Sequence, residues 1–327
     1  SSKYGKVYIG NIFSLSKMAF DITLRYNRDL AYRSTTSALE DRVGFTRQIG
    51  GKQIGFYRNM NLYINPNYLC SSDCGFCIAK TDMGVVRRIP DDDLFFGSLD
   101  KALEYAKQFN PSVSLVGGEP TIDKRFQKIL AMVKDYRFRK PIINTNLAGL
   151  VRIDGHLQAL NESTVEHLNA SRHHYDEDEN ARIMGSRIKV SNAEMKQTLQ
   201  GLRKSIRVRM QSCISADGMQ SYDDVMRYIE FAQSLSVDNV AFFEFAKVPS
   251  GNVYSQAMIH YTTKNHAPLN PILEAVDTRN DFKLLVQLVG PYYYEEIYRL
   301  GGTIDVVFKF ADFARMAELD KDGYMML

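Results

Sequence analysis

From residue 60 onward the chain alternates two kinds of apolar pattern. Short runs rich in β-branched and aromatic residues predict strands: MNLYIN (60–65), SVSLV (112–116), PIINTN (141–146), EHLNAS (166–171), RVRMQSCI (207–214) and NVAFFEF (239–245). Between them the apolar positions repeat at helical spacing. SLDKALEYAKQ (98–108) places Leu99, Ala102, Leu103 and Ala106 on one face, and RFQKILAMVKDY (125–136), NAEMKQTLQGLRKS (192–205) and DDVMRYIEFAQSL (223–235) follow the same rule. Strand and helix in regular alternation predict an α/β fold with a parallel sheet and helices outside it. Six strands are too few for an eight-fold barrel and suit an open, partial barrel or a doubly wound sheet.

Both flanks depart from this rhythm. Residues 1–58 form an N-terminal extension with a helix expected over 12–30 and a turn at Gly50-Gly51. Residues 59–250 form the core. Residues 251–327 form a C-terminal extension expected to close the barrel. It contains an irregular NHAPLNP, a strand FKLLVQLV, a helix over YYYEEIYRL (292–300), a Gly-Gly turn, a strand TIDVVFKF and a short final helix. Tyr292-Tyr293-Tyr294 begins that helix as packing or forms an aromatic wall. The acidic runs at 91–93 and 176–179 read as solvated loops or helix N-termini.

Composition narrows the classes. A chain of 327 residues with 45% hydrophobic and 24% charged residues is that of a soluble globular protein. No apolar run approaches a membrane span. The opening SSKYGKVYIGN lacks the layout of a secretory signal. A net charge of +3 gives nucleic-acid binding no support. Four cysteines, three of them clustered, do not form a disulfide framework, and the expected setting is reducing and cytoplasmic.

The cluster is CSSDCGFC, residues 70–77, directly after the first core strand and so at the edge where parallel α/β folds gather ligands. Three thiolates on one tight loop, Cys70, Cys74 and Cys77, can ligate three irons of a 4Fe–4S cluster, leaving the fourth iron open to a small molecule. The competing reading is zinc. Structural zinc calls for four ligands, and no nearby His or Cys completes a tetrahedron, the next cysteine being Cys213. Chance clustering of surface thiols is the remaining reading. A second motif, Gly117-Gly118-Glu119-Pro120, follows the strand at 112–116. Glycines there let the backbone approach a ligand closely, or simply turn the chain out of the strand.

Together, in this order and spacing, CSSDCGFC and GGEP resemble the radical S-adenosylmethionine (SAM) superfamily, including the aromatic Phe76 before the last cysteine. The resemblance extends over about 60–250. Asn144-Thr145-Asn146 stands where relatives carry a TTN-like segment. LNASR (168–172) is similar to a strand that ends in an acidic residue, here replaced by Arg172. RMQSCI (209–214) places Gln211 at a SAM-facing position, and FFEFAKVPSG (242–251) resembles a stretch of the molybdenum-cofactor GTP 3′,8-cyclase. The cyclase's C-terminal second cluster has no counterpart, since no cysteine follows Cys213.

The resemblance implies a partial (β/α)6 TIM-like barrel, a 4Fe–4S cluster on Cys70, Cys74 and Cys77, and SAM held by Phe76, Gly117, Gly118, Glu119, Pro120, Asn144, Asn146, Ser171 and Gln211. It implies reductive cleavage of SAM to a 5′-deoxyadenosyl radical, fed by an electron donor such as flavodoxin or ferredoxin. The expected substrate, read from the polar edge at Ser171–Tyr175 and not from the resemblance, is a small polar, anionic metabolite: a nucleoside, sugar acid or amino acid. Arg172, His173 and His174 are candidates to grip its anion, unless they form an exposed polar loop. Glu244 binds substrate if it points inward and pairs with a helix if outward, and Lys247 is a further anion contact. Cys213 is a buried structural thiol or a hydrogen-atom donor. The alternatives are a radical SAM maturase of a ribosomal peptide and a non-enzymatic iron–sulfur or zinc module. No nucleic-acid or membrane partner is expected.

Overall fold

The alternating pattern predicts six core strands, and six strands stand in those places. The computed structural model describes residues 34–35, 43–49, 52–57, 61–78, 91–246, 255–289 and 293–311. The helix expected over 12–30, the Gly50-Gly51 turn, Lys247, Tyr292 and the helix expected after the last strand lie outside the described residues.

In chain order, β1 (Ser34–Thr35) precedes an antiparallel pair, β2 (Val43–Ile49) and β3 (Lys52–Tyr57). Then come β4 (Asn61–Ile64), α1 (Asp92–Lys107), β5 (Ser112–Leu115), α2 (Phe126–Tyr136), β6 (Arg139–Thr145), α3 (Ala148–Arg152), α4 (His156–Glu162) and β7 (His167–Ser171). α5 (Glu177–Met184), α6 (Asn192–Gln200), β8 (Arg207–Ile214), α7 (Tyr222–Ser234) and β9 (Asn239–Glu244) follow. The chain continues through α8 (Gln256–Lys264), α9 (Asn270–Asp277), β10 (Phe282–Val289), β11 (Tyr293–Leu300) and β12 (Ile304–Ala311). Two compact units divide the chain: Asn59–Gln211 with Asn252–Met258, and Ser1–Arg58 with Ser212–Gly251 and Ile259–Leu327. The division falls within β8.

In the first of these units β4 to β8 pair in sequence order, every neighbour parallel. One sheet face is apolar, with Ile143, Leu168 and Met210 fully buried. Phe126 and Ile129 of α2 and Leu103 of α1 are fully buried as well. The acidic runs are helix starts. Asp91 accepts the Leu94 N–H at the head of α1, and Asp176 accepts those of Asp178 and Glu179 at the head of α5. That cap moves the start of α1 to Asp92, six residues before the expected start at Ser98.

In the second unit β9 runs parallel to β12, and β12, β11 and β10 form an antiparallel meander. Phe242 and Phe308 stack at 5.6 Å in its core. Here one expectation fails: the described part of YYYEEIYRL, Tyr293–Leu300, is a strand, not a helix. Tyr294, Glu296, Tyr298 and Leu300 are buried on one side, a period of two rather than 3.6. The charge of Glu296 disguises the pattern. Its carboxylate is buried among the Tyr294 and Tyr298 hydroxyls and the Gln287 amide, all donating to it. Among the described residues no helix is long and apolar enough to cross a membrane.

Candidate active site

Parallel register brings the exits of β4 and β5 side by side, Ile64 opposite Leu115, so the two motifs meet although 40 residues separate them. The loop after β4 is tied to the loop after β5 by backbone bonds: Gly118 N–H to the Asn67 carbonyl (3.0 Å) and Glu119 N–H to the Leu69 carbonyl (2.7 Å). A Cβ at Gly117 would collide with the Asn65 side chain, and one at Gly118 with the Leu69 backbone. The space these glycines leave is therefore filled by the cysteine loop's own approach.

A buried ion pair underpins this junction. Arg125 holds Asp123 through Nε (2.9 Å) and Nη2 (2.8 Å), and its Nη2 also donates to the Pro66 carbonyl. Asp123 in turn accepts from the Asn67 amide, while the Asn67 Oδ1 accepts the Leu69 N–H (2.6 Å). The Arg125 guanidinium beside it holds the Asp123 carboxyl below its ordinary range against the opposing effect of burial. Arg125 also lies 4.0 Å over the Phe95 ring.

Glu119 is only 2% exposed, and both its oxygens accept. Oε1 takes the Thr121 N–H (3.0 Å) and the hydroxyls of Thr121 and Thr145; Oε2 takes the Asn146 N–H (2.6 Å). Burial pushes its carboxyl up, and these donors oppose the shift. The Asn146 amide, held in this way, donates to the hydroxyls of Ser71 (2.9 Å) and Ser72 (3.2 Å) and lies 4.0 Å from the Cys70 sulfur.

Cys70, Cys74 and Cys77 are half-buried and form no disulfide. Burial pushes the Cys70 thiol up to about 11, opposed by the Ser72 N–H at 3.4 Å. Its thiolate at neutral pH therefore needs a cation beside it. The Cys74 sulfur faces the Met184 carbonyl at 3.5 Å. Phe76 meets the His173 ring edge-on at 4.8 Å.

The remaining expected residues fall into two groups. Asn144, Asn146, Ser171 and Gln211 stand half-exposed on the face opposite the apolar layer. Asn144, Asn169 and Arg209 form one in-register row across β6, β7 and β8, and Ser171 and Gln211 the next row toward the strand ends. The Asn169 amide donates to Asn144 at 2.9 Å, which confirms the shared face. Asn169 and Arg209 were not expected as site residues from sequence; the alternation of RMQSCI (209–214) and HLNAS (167–171) carries the signal.

Arg172 and His173 are placed differently. The Arg172 guanidinium donates to the carbonyls of His174 (3.2 Å) and Val190 (2.9 Å) and to the Asn192 side chain. Burial, assisted by Arg172, pushes His173 down to about 4, so its ring is neutral at pH 7. His174 accepts the Asp176 N–H. In the other unit Glu244, at the end of β9 and 4% exposed, binds His266 Nε2 (2.9 Å) and the Leu269 N–H (2.8 Å). That bond raises the His266 pKa. Cys213 is half-buried and follows Gln211 on the same side of β8.

Residues 64–232 match the model of the Radical SAM superfamily. No curated protein matches the sequence. Among solved structures, SuiB of Streptococcus suis is similar at 20% identity and a TM-score of 0.50, over 72% of this chain and 50% of SuiB. Coproporphyrinogen III oxidase (HemN) of Escherichia coli, described as a radical SAM enzyme, aligns at 12% identity and a TM-score of 0.40, over 74% of this chain and 64% of HemN. The chain thus spans about half the length of SuiB.

Proposed function

This chain belongs to the radical SAM superfamily, enzymes that use a 4Fe–4S cluster and SAM, and on that premise we propose that it is a single-cluster member acting on a small, polar, anionic metabolite. When bound, the reduced cluster would supply one electron to the sulfonium of SAM, releasing methionine and giving a 5′-deoxyadenosyl radical able to take hydrogen from an unactivated C–H bond. Cys70, Cys74 and Cys77 would hold the cluster. Phe76, the backbone of Gly117 to Pro120, Asn146, Ser171 and Gln211 would hold SAM, while Asn144, expected from sequence to join them, is bonded to Asn169 and belongs with the substrate row. Glu119 serves it indirectly, by fixing Asn146.

The observation that carries the substrate reading is the polar row Asn144–Asn169–Arg209, half-exposed and in register. Two amides and a guanidinium suit hydroxyls and an acidic group, and leave an apolar ligand without partners. Arg209, half-exposed on β8, is the candidate for this role rather than Arg172, which is 3% exposed and donates to the segment at 190–192. His173, neutral and buried, adds no charge. Glu244 acts through His266, which it holds. An electron donor such as flavodoxin or ferredoxin and a reducing cytoplasmic setting belong to the same reading.

The test is anaerobic reconstitution with iron and sulfide, reduction with dithionite in the presence of SAM, and chromatography for 5′-deoxyadenosine, with Cys74→Ala alongside. Wild type is expected to make it and the variant not. Nucleosides, sugar acids and amino acids are then screened for deuterium transfer into 5′-deoxyadenosine. Transfer from peptides but from none of these acids would replace the small-molecule reading with a peptide-modifying one.

A further inference from the structure

The excursion between β7 and α6 touches the cysteine loop at five consecutive or near-consecutive residues. The Met184 carbonyl accepts the Asp73 N–H (2.8 Å) and faces the Cys74 sulfur. The N–H groups of Arg187 and Ile188 both point at the Ser71 carbonyl, at 2.7 and 3.3 Å. The Ser186 hydroxyl meets that of Ser72 at 3.3 Å, and His173 packs on Phe76.

We propose that the segment from His173 to Ile188 is a clasp that sets the shape of the cysteine loop, with Gly185 the positioning residue for the iron–sulfur cluster. The inference rests on the cluster reading above.

The geometry follows from how α5 ends. A helix leaves its last carbonyls without partners inside the helix. Here Gly185 takes the left-handed conformation (φ 55°, ψ 43°). Its N–H then reaches the Arg182 carbonyl, and that of Ser186 reaches Ala181, a Schellman ending. The Met184 carbonyl is left pointing off the helix end, and Asp73 supplies its donor. Gly185 is needed twice. It adopts a positive φ, and a Cβ on it would stand 3.1 Å from the Asp73 carbonyl oxygen and 3.4 Å from the Asp73 Cβ. Asp73 immediately precedes Cys74, so any displacement there is passed to a cluster ligand. The clasp is itself secured at its base, where Asn180 accepts the His173 N–H at 2.7 Å.

The two roles of Gly185 separate in Gly185→Asn. Asparagine tolerates the left-handed cap but still carries the Cβ that meets Asp73. The experiment reconstitutes wild type, Gly185→Asn and Gly155→Asn. Gly155 has the same kind of positive φ (78°), but its Cβ would meet only the end of the Gln127 side chain. The readouts are iron release to a chelator, the electron paramagnetic resonance spectrum of the reduced cluster with and without SAM, and thermal midpoint. Gly185→Asn is expected to keep a midpoint close to that of wild type, to release iron about tenfold faster, and to alter the spectrum. Gly155→Asn is expected to match wild type in iron release. Equal iron retention by Gly185→Asn and wild type overturns the clasp, as does equal loss from both variants. A wild type that takes up no iron overturns instead the cluster reading on which the clasp is built.

Discussion

A buried titratable residue is costly unless it is paired or neutral, and three residues show both solutions. Arg125 and Asp123, with side chains only 2% and 3% exposed, form a pair that also holds Pro66 and Asn67 at the head of the cysteine loop. Arg125→Met would leave Asp123 buried without its partner and is expected to cost about 3–5 kcal/mol, read by urea denaturation. His173 is matched by being neutral. Its pKa is pushed down to about 4 from 6.5, so the folded protein binds that proton less readily than the unfolded chain does. Its contribution is present above pH 6.5 and is lost as pH falls toward 4. His173→Phe keeps a ring against Phe76 and is expected to flatten the fall in stability over that window, measured as urea midpoints from pH 7 to pH 4. A slope unchanged by the substitution would show that other groups govern it.

At the scale of elements, what was legible in the sequence was whatever repeats along one strand or helix. Six strands and four helices followed from period alone, while the acidic runs at 91–93 and 176–179 left open whether they were solvated loops or helix starts, and the caps at Asp91 and Asp176 make them helix starts. β11 was misread because its alternation includes Glu296, a charged residue on the buried side. The pairing that makes Glu296 acceptable comes from Tyr294, Tyr298 and Gln287, and Gln287 stands on another strand where sequence periodicity does not reach. This cluster yields a sharp contrast. Glu296→Leu alone removes the acceptor that two buried hydroxyls and an amide share, leaving Tyr298 its longer bond to Asp277 (3.3 Å) and the Gln287 amide its bond to the Tyr294 hydroxyl, and is expected to cost about 3 kcal/mol. Adding Tyr294→Phe and Tyr298→Phe removes most of the orphaned groups and is expected to recover a large part of that loss, since replacing both partners by apolar groups of like shape is close to neutral. Denaturation of the single and triple variants checks the difference. The contacts of the clasp were invisible for a related reason: most of them are made by backbone groups of Ser71, Asp73, Met184, Arg187 and Ile188, which no side-chain motif announces.

For the molecule as a whole, the candidate site is a consequence of parallel register. Strands that all point one way deliver the residues at their ends to a common edge, so CSSDCGFC, GGEP, Asn146 and Ser171 could be read as one site from their positions after predicted strands. The row behind that edge, Asn144, Asn169 and Arg209, depends on which residues of three separate strands stand opposite one another, and that register is set by the sheet. If this row reads an acidic group, Arg209 has a specific signature. Arg209→Met is expected to raise KM for the acidic substrate by about tenfold or more, the scale of one charge-assisted contact, while leaving KM for its neutral amide analogue almost unchanged. A general loss of shape in the site would weaken both ligands together. Arg209→Lys separates charge from geometry: it keeps the charge but loses the planar fork, so partial recovery for the acid alone marks a charge contact, and none marks a bidentate one. The acid-to-amide ratio across wild type, Arg209→Met and Arg209→Lys therefore measures whether this sheet face selects the substrate. A ratio that stays constant would move selection away from the row.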